Sequence, residues 1–156
     1  MKTRTITLKK KDIFHDIDVL SLSLSRLGDD VKKADTIATD TSTTNGTRIF
    51  TRLADKRVSD IRTALKDFLS AVTQTEGNDL ISSSDYAISL YVTDELPDYV
   101  ITSMIALMHD YVVKGALGDW YAELSVGPSA NLIQMANDSL VKIRELIYER
   151  IIPTMS

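Results

Sequence analysis

The sequence predicts a mainly α-helical fold of about four helices, with a C-terminal helical hairpin and a minor two-stranded β element. Over most of the chain, apolar residues recur every three or four positions, which is the spacing of one helix face. Two short segments, residues 4–8 and 86–92, are instead rich in β-branched and aromatic residues. The chain has 156 residues, 44% of them hydrophobic, so we expect a single helical domain over 1–156 with one core.

The N-terminal third predicts a strand, a helix and a loop. Residues 4–8 alternate polar and apolar side chains, which is typical of a short strand. From about Lys11 the helical period begins, and Gly28 is the expected stop. Residues 29–47 are rich in Ser and Thr, lack periodicity and contain an Asn-Gly turn dipeptide. We therefore expect a mobile loop there, with a role in contact or connection.

The middle of the chain predicts one long helix and a second strand. Apolar residues follow a helical period from Arg48 to Val72, so we expect a helix of about 25 residues, with an offset near Ser59 where Ser-Asp could recap it. The helix should end before Gly77. Residues 86–92 predict a strand that pairs with the N-terminal one. A sheet of two strands needs helix cover to be stable.

The last third predicts the helical hairpin. Pro97 opens a long apolar-periodic segment that runs to Tyr121. A Gly-Pro turn at 127–128 separates it from a second periodic segment, which starts at Ser129 and stops at Pro153. The side chains expected to be buried in the two helices are Val100, Ile101, Met104, Ile105, Met108, Tyr111, Val112, Leu132, Met135, Ala136, Leu140, Ile143, Ile147 and Ile151.

Three small residues lie within one turn of the first arm of the hairpin. Gly115, Ala116 and Gly118 include two glycines, each of which costs up to ~1 kcal/mol of helix propensity. Their presence predicts close approach by the backbone of another helix. Trp120 and Tyr121 follow directly. Such rings are most often core anchors, but both residue types are also enriched at interfaces.

The composition limits both chemistry and location. The chain has no cysteine, which excludes a disulfide framework, thiolate zinc sites and thiol nucleophiles. The N-terminus is basic but lacks the apolar stretch of a secretory leader. No stretch approaches the roughly 18 uninterrupted apolar residues of a membrane span. We therefore expect a soluble protein with no membrane partner.

Basic and acidic residues are separated along the chain. Residues 1–11 contain five basic residues, including Lys9, Lys10 and Lys11, and no acid. Eight acids and no Lys or Arg fall between Lys66 and Lys114. This pattern fits two separate solvated faces, internal docking of one segment on the other, or a head-to-tail contact between copies. The net charge of −4 argues against tight binding of nucleic acid.

The sequence offers few chemical constellations. Asp12, His15, Asp16 and Asp18 have a spacing that could ligate a metal, but acids in the first turns of a helix also favour its dipole. His109 could serve as a base, yet no nucleophile motif accompanies it. No nucleotide-binding, hydrolase or zinc-protease motif occurs. We expect neither metal nor cofactor, and a protein that is not an enzyme.

The order of parts resembles a family of small helical proteins encoded in the structural gene cassettes of Bacteroides-type phages and prophages. The resemblance runs from the basic strand, first helix and Thr-rich loop through a long helix ending in Asp-Phe-Leu and a second strand to the hairpin. Its more specific motifs are Leu-Pro at 96–97, His-Asp-Tyr-Val-Val at 109–113, Ala-Leu-x-Asp-Trp-Tyr at 116–121, Lys-Ile-Arg at 142–144, Tyr-x-Arg at 148–150 and Pro-Thr at 153–154.

This resemblance implies a virion component of the head-to-tail connector or neck, assembled in the host cytoplasm. The subunits would form a ring, twelvefold if it joins the portal, and contact the portal and neighbouring neck or tail proteins while DNA passes without specific binding. A sixfold tail-completion or tail-terminator protein and a cytoplasmic helical regulator of one protein partner remain alternatives. The residues expected at contacts between subunits are Trp120, Tyr121, Thr43, Asn45, Lys9, Lys10 and Lys11.

Overall fold

A computed structural model describes residues 2–25, 44–69, 85–123 and 129–151. These residues form a mainly helical fold with four α-helices and one antiparallel sheet, which confirms the predicted fold class. The elements in chain order are β1 (Lys2–Leu8), α1 (Lys10–Ser25), α2 (Thr44–Ala64), a 3-10 turn (Lys66–Phe68), β2 (Tyr86–Val92), α3 (Asp98–Glu123) and α4 (Ser129–Ile151).

The two strands pair with each other, as the sequence predicts, and the structure shows that the pairing is antiparallel. The register runs from Lys2 opposite Val92 to Leu8 opposite Tyr86, and β2 has the predicted bounds. Successive side chains of a strand point to opposite faces. Ile6 and its inward-facing neighbours are buried against the helices, whereas the threonines of β1 are exposed on the other face. The helices thus provide the cover that a two-stranded sheet requires.

Helix α1 starts one residue earlier than expected, at Lys10, and its predicted stop at Gly28 lies outside the described residues. Helix α2 starts at Thr44, so the last four residues of the expected loop at 29–47 are helical and that part of the prediction is wrong. Extending a nucleated helix by one residue costs little, so polar residues can join its end. Residues 29–43 lie outside the described part of the chain.

The other end of α2 also differs from the sequence-based expectation. The helix is continuous past Ser59, ends at Ala64 and gives way to the 3-10 turn. Leu69 then forms an isolated antiparallel bridge with Leu90 of β2. A residue engaged in pairing with a strand cannot continue a helix, so the helix does not reach Val72, which itself lies outside the described residues.

Helix α3 is the centre of the fold, with α1, α2, α4 and β1 packed around it. Its C-terminal half is buried on almost every side, from Tyr111 to Tyr121. A helix that is apolar all round is the expected signature of such an enclosed position. By length and composition, α3 is also the one described helix that could cross a membrane, and 56% of its most apolar window is buried inside the fold.

Two side chains expected in the core are instead partly exposed. Ile105 of α3 and Met135 of α4 have exposed fractions of 36% and 40%. Neighbouring positions such as Met104 and Ala136 are fully buried. Each helix therefore buries a narrower stripe at these points than the apolar pattern predicts. Leu140 is half-buried, and the side chain of Ile151 lies outside the description.

The predicted close approach at Gly118 is confirmed. A Cβ atom built on this glycine would lie 2.9 Å from Ile133 Cγ1 and 3.2 Å from the Ile133 backbone nitrogen. Since both atoms belong to α4, the missing side chain is what allows the two arms of the hairpin to touch here. This contact explains a glycine in the middle of a long helix, where it otherwise costs stability.

Gly118→Ala should lower the free energy of unfolding by about 1 to 2 kcal/mol, because the displaced α4 outweighs the gain in helix propensity. Urea denaturation measures the difference. Ser103→Ala, on the exposed face of the same helix, is the control and should change stability by less than about 0.5 kcal/mol. Equal stability of Gly118→Ala and the parent would contradict the close contact.

Candidate functional site

The structure buries two of the residues expected at contacts between subunits. Trp120 and Tyr121 have exposed fractions of 3% and 0%. The Trp120 ring lies 5.4 Å from that of Phe50 and 5.1 Å from that of Tyr121, measured between centroids. Burial raises the pKa of Tyr121 to about 12. Both rings are therefore anchors of the core, and their assignment to an interface is corrected.

The three lysines at the start of α1 and just before it divide between surface and core. Lys9 and Lys11 are exposed. Lys10 is mostly buried, with its ammonium 4.8 Å from the ring centroid of Tyr86, which is cation–π distance. Of the two loop residues in the expected contact set, Thr43 lies outside the described residues, and Asn45 lies in α2 with its side chain outside the description.

The most developed polar arrangement joins α2 to α3 through Arg57. Its Nε donates to Asp119 Oδ2 at 2.9 Å, and its Nη2 donates to Asp119 Oδ1 at 2.6 Å. This is the bidentate geometry that a planar guanidinium forms with a carboxylate. Both side chains are largely shielded from solvent, with exposed fractions of 9% and 16%. The pair therefore holds the two helices at a fixed register.

Tyr111 extends this arrangement to a second acid. Arg57 Nη1 donates to the Tyr111 hydroxyl at 3.2 Å, and that hydroxyl donates to Asp60 Oδ2 at 3.1 Å. Burial raises the pKa of Tyr111. Burial lowers the pKa of Arg57, but its hydrogen bonds to Asp119 and Tyr111 outweigh that effect, so the net pKa is raised. We call these four residues the Arg57 network.

Gly115 makes room for the Arg57 network. A Cβ atom at this position would lie 2.6 Å from Arg57 Nε and 2.7 Å from its Cδ. The sequence predicts that another helix backbone approaches here, whereas the group that approaches is an arginine side chain from α2. The glycine therefore marks a close contact, but the residue that makes the contact lies far away in the sequence, on α2.

A second polar contact set attaches the sheet to α2. The Tyr86 hydroxyl donates to Asp55, and Arg62 Nη2 donates to the backbone oxygen of Ala87 at 2.9 Å. Burial, followed by the hydrogen bond to Asp55, raises the pKa of Tyr86. The strand β2 is therefore fixed to the helix that also carries Arg57. Nothing in the sequence pattern indicated this link.

The residues considered as metal ligands do not converge. Asp16 lies 2.5 Å from His109 Nε2, so it joins α1 to α3. His15 points to solvent on the same helix. Across the described ranges, no group of three or more His, Cys, Asp or Glu side chains could hold a metal ion. His109 thus pairs with a carboxylate of another helix.

Two contacts link the basic N-terminal segment to the acidic segment at opposite ends of β1. Arg4 Nη2 lies 2.7 Å from Asp98 Oδ1 at the start of α3. The backbone N–H of Lys10 donates to Asp85 Oδ1 at 3.1 Å. Both contacts agree with the internal docking that the charge separation allowed.

Comparison of the chain with known protein families, with curated proteins and with solved structures found no match.

Arg57→Met should lower the free energy of unfolding by about 3 kcal/mol, because it leaves Asp119 shielded from water without its guanidinium partner. Thermal and urea denaturation both report the loss. Arg52→Met, at an exposed position of the same helix, is the matched control and should have little effect. The double variant Arg57→Met/Asp119→Leu should recover much of the stability, and its failure to do so would contradict a destabilisation caused by the unpaired acid.

The buried tyrosines should make the fold sensitive to alkali. The pKa of Tyr121 is about 12 in the fold, above the ordinary value of 10. A group with a raised folded pKa contributes full stability below its unfolded pKa, and that stability is lost as pH rises through the folded value. The free energy of unfolding should therefore fall between pH 10 and pH 12.

Urea denaturation at a series of pH values measures this decline. Tyr121→Phe should reduce its steepness, because the ionisable hydroxyl is gone while the buried ring remains. Ser103→Ala, which removes an exposed side chain that does not ionise, is the control and should leave the slope unchanged. An identical slope in the parent and in Tyr121→Phe would contradict the role of burial.

Proposed function

We propose that this chain is a structural virion protein, a subunit of the ring that connects head and tail in a phage neck. The sequence resemblance is the origin of the proposal. The observation that carries it is the network of hydrogen-bonded charged groups between the helices. The charged groups of the Arg57 network bond one another between helices. These bonds fix α2 against α3, and a subunit that repeats around a ring needs helices in fixed positions.

The surface supports a role in contact. The lysines Lys9 and Lys11 and the rings of Tyr91 and Tyr99 are exposed. Tyrosine is enriched at protein interfaces because its ring is apolar and its hydroxyl can bond. We propose further copies of the chain, the portal and adjacent neck or tail proteins as the partners. The net charge of −4 suits a ring through which DNA passes without being held.

The mass of the native assembly tests the proposal. Light scattering on the purified protein, alone and mixed with virion neck fractions, should give a complex of about twelve subunits of 17.4 kDa. Particle images should then show the matching symmetry. A sixfold ring would indicate a tail-completion or tail-terminator protein. A monomer that binds no virion fraction would contradict the proposal and favour a regulator of a single protein partner.

A further inference from the structure

Strand β1 is an edge strand of the sheet. In the part of the chain that the structure describes, it pairs with β2 on one side and with no strand on the other. Every second residue of such a strand directs its backbone N–H and C=O away from its paired neighbour. Among the described ranges, no backbone hydrogen bond from another element reaches a residue of Lys2–Leu8 on this outer side. The outer edge of β1 therefore presents a row of unpaired donors and acceptors.

The other edge of the sheet is already engaged. Leu69 forms an antiparallel bridge with Leu90 of β2, on the side away from β1. Arg62 Nη2 also donates to the backbone oxygen of Ala87 in the same strand. A further strand that joins this sheet would therefore be added beside β1.

β1 lacks most of the devices that protect an edge strand from pairing. Such strands are commonly blunted by proline, a bulge, short length or free charged side chains. β1 has seven residues in unbroken register with β2 and contains no proline. Of its two basic residues, Arg4 is held by Asp98. The strand is also rich in β-branched residues, which favour pairing.

The threonines of β1 indicate which strand fits this edge. Thr3, Thr5 and Thr7 occupy alternate positions, so their side chains share one face, and all three are exposed. Their spacing is symmetric about Thr5. If a second β1 runs antiparallel with Thr5 opposite Thr5, then Thr3 of each copy lies opposite Thr7 of the other. Threonines opposite each other stabilise the pairing of two strands.

The same alignment sets no two basic residues directly opposite each other. It places Lys2 opposite Leu8 of the other copy and Arg4 opposite Ile6. A parallel pairing in equal register would instead place each basic residue beside its own counterpart. Lys9 of one copy would lie diagonal to Lys2 of the other, so added salt should strengthen the contact by screening that repulsion.

We infer that β1 pairs antiparallel with β1 of a second copy, centred on Thr5, and that the two sheets then form one continuous sheet. Main-chain hydrogen bonds along the edge supply the attraction, and the threonine pairs set the register. A sheet of more than two strands is also more stable than an isolated pair. The inference goes beyond the proposed ring, because an isologous contact joins copies in pairs and does not by itself close a ring.

A charge at Thr5 tests the alignment, because this residue faces its own counterpart in the inferred contact. Thr5→Lys and Thr5→Glu should each weaken association by about fivefold, since like charges then meet across the pair. An equimolar mixture of the two variants should associate again, because opposite charges meet. Sedimentation velocity on the purified protein, with no virion fraction present, compares the samples, and circular dichroism shows that each variant is folded.

The register offers a second test with a matched control. Thr3→Lys/Thr7→Glu should strengthen association, because the new lysine of each copy lies opposite the new glutamate of the other. Ser103→Lys, at an exposed position of α3, adds a charge away from the sheet and should associate like the parent. If the double variant associates more weakly than the parent, the antiparallel alignment on Thr5 is wrong.

Hydrogen exchange locates the contact within the strand. Every second backbone amide of β1 should exchange slowly at concentrations where pairs form and rapidly on dilution. The amides that bond to β2 should stay protected at both concentrations. Protection that does not change with concentration would contradict the inference.

The outcomes keep this contact separate from the proposed ring. Variants at Thr5 that associate as well as the parent overturn the contact. A parent that stays monomeric also overturns it. Slow exchange throughout β1 would then show that the same chain covers the edge, and fast exchange of alternate amides would leave the edge to a strand of another protein. The ring is tested by the mass of the assembly with neck fractions, which none of these results decides.

Discussion

The enclosure of α3 is the constraint on which the rest of the structure depends. From Tyr111 to Tyr121 this helix presents buried side chains in almost every direction, so it must be covered on all sides to remain out of water. Helix α4 covers one side along much of its length, α2 another, and α1 and β1 contribute the remainder. The order of the other elements around α3 follows from this need.

Two glycines of α3, one turn apart, each allow a different close contact. Gly118 lets the backbone of α4 approach, so the hairpin arms lie close together. Gly115 instead admits the side chain of Arg57, which reaches over the helix to bind Asp119. A buried ion pair is not by itself a source of much stability, because its desolvation opposes the attraction. Its contribution here is positional, because the bidentate geometry allows one register of α2 on α3.

The sequence predicts the features that depend on neighbours along the chain. The bounds of β2 and the helical hairpin follow from local periodicity and from residue types that favour strands. The features it misses depend on partners far away. Leu69 leaves the helical pattern because Leu90 pairs with it, and Arg57 finds Asp119 across 62 positions. No pattern in a single sequence marks such partners.

The choice between core and interface depends on distant partners in the same way. Trp120 and Tyr121 are amphipathic rings that suit either a core or an interface, and only the surrounding helices decide which. The exposed pair, Tyr91 and Tyr99, lies in segments whose pattern predicts a strand and a helix start but not which rings face solvent. Opposite charges are visible in the sequence, whereas only the fold shows that Arg4 meets Asp98.

Helix α2 joins the sheet to α3. Asp55 and Arg62 bind the sheet through Tyr86 and the backbone of Ala87, while Arg57, between them on the same helix, binds α3. The position of the sheet is therefore fixed relative to α3 by the side chains of a single helix. The contacts to β2 and the bidentate pair with Asp119 lie within eight positions of α2, so a shift of this helix would break both together.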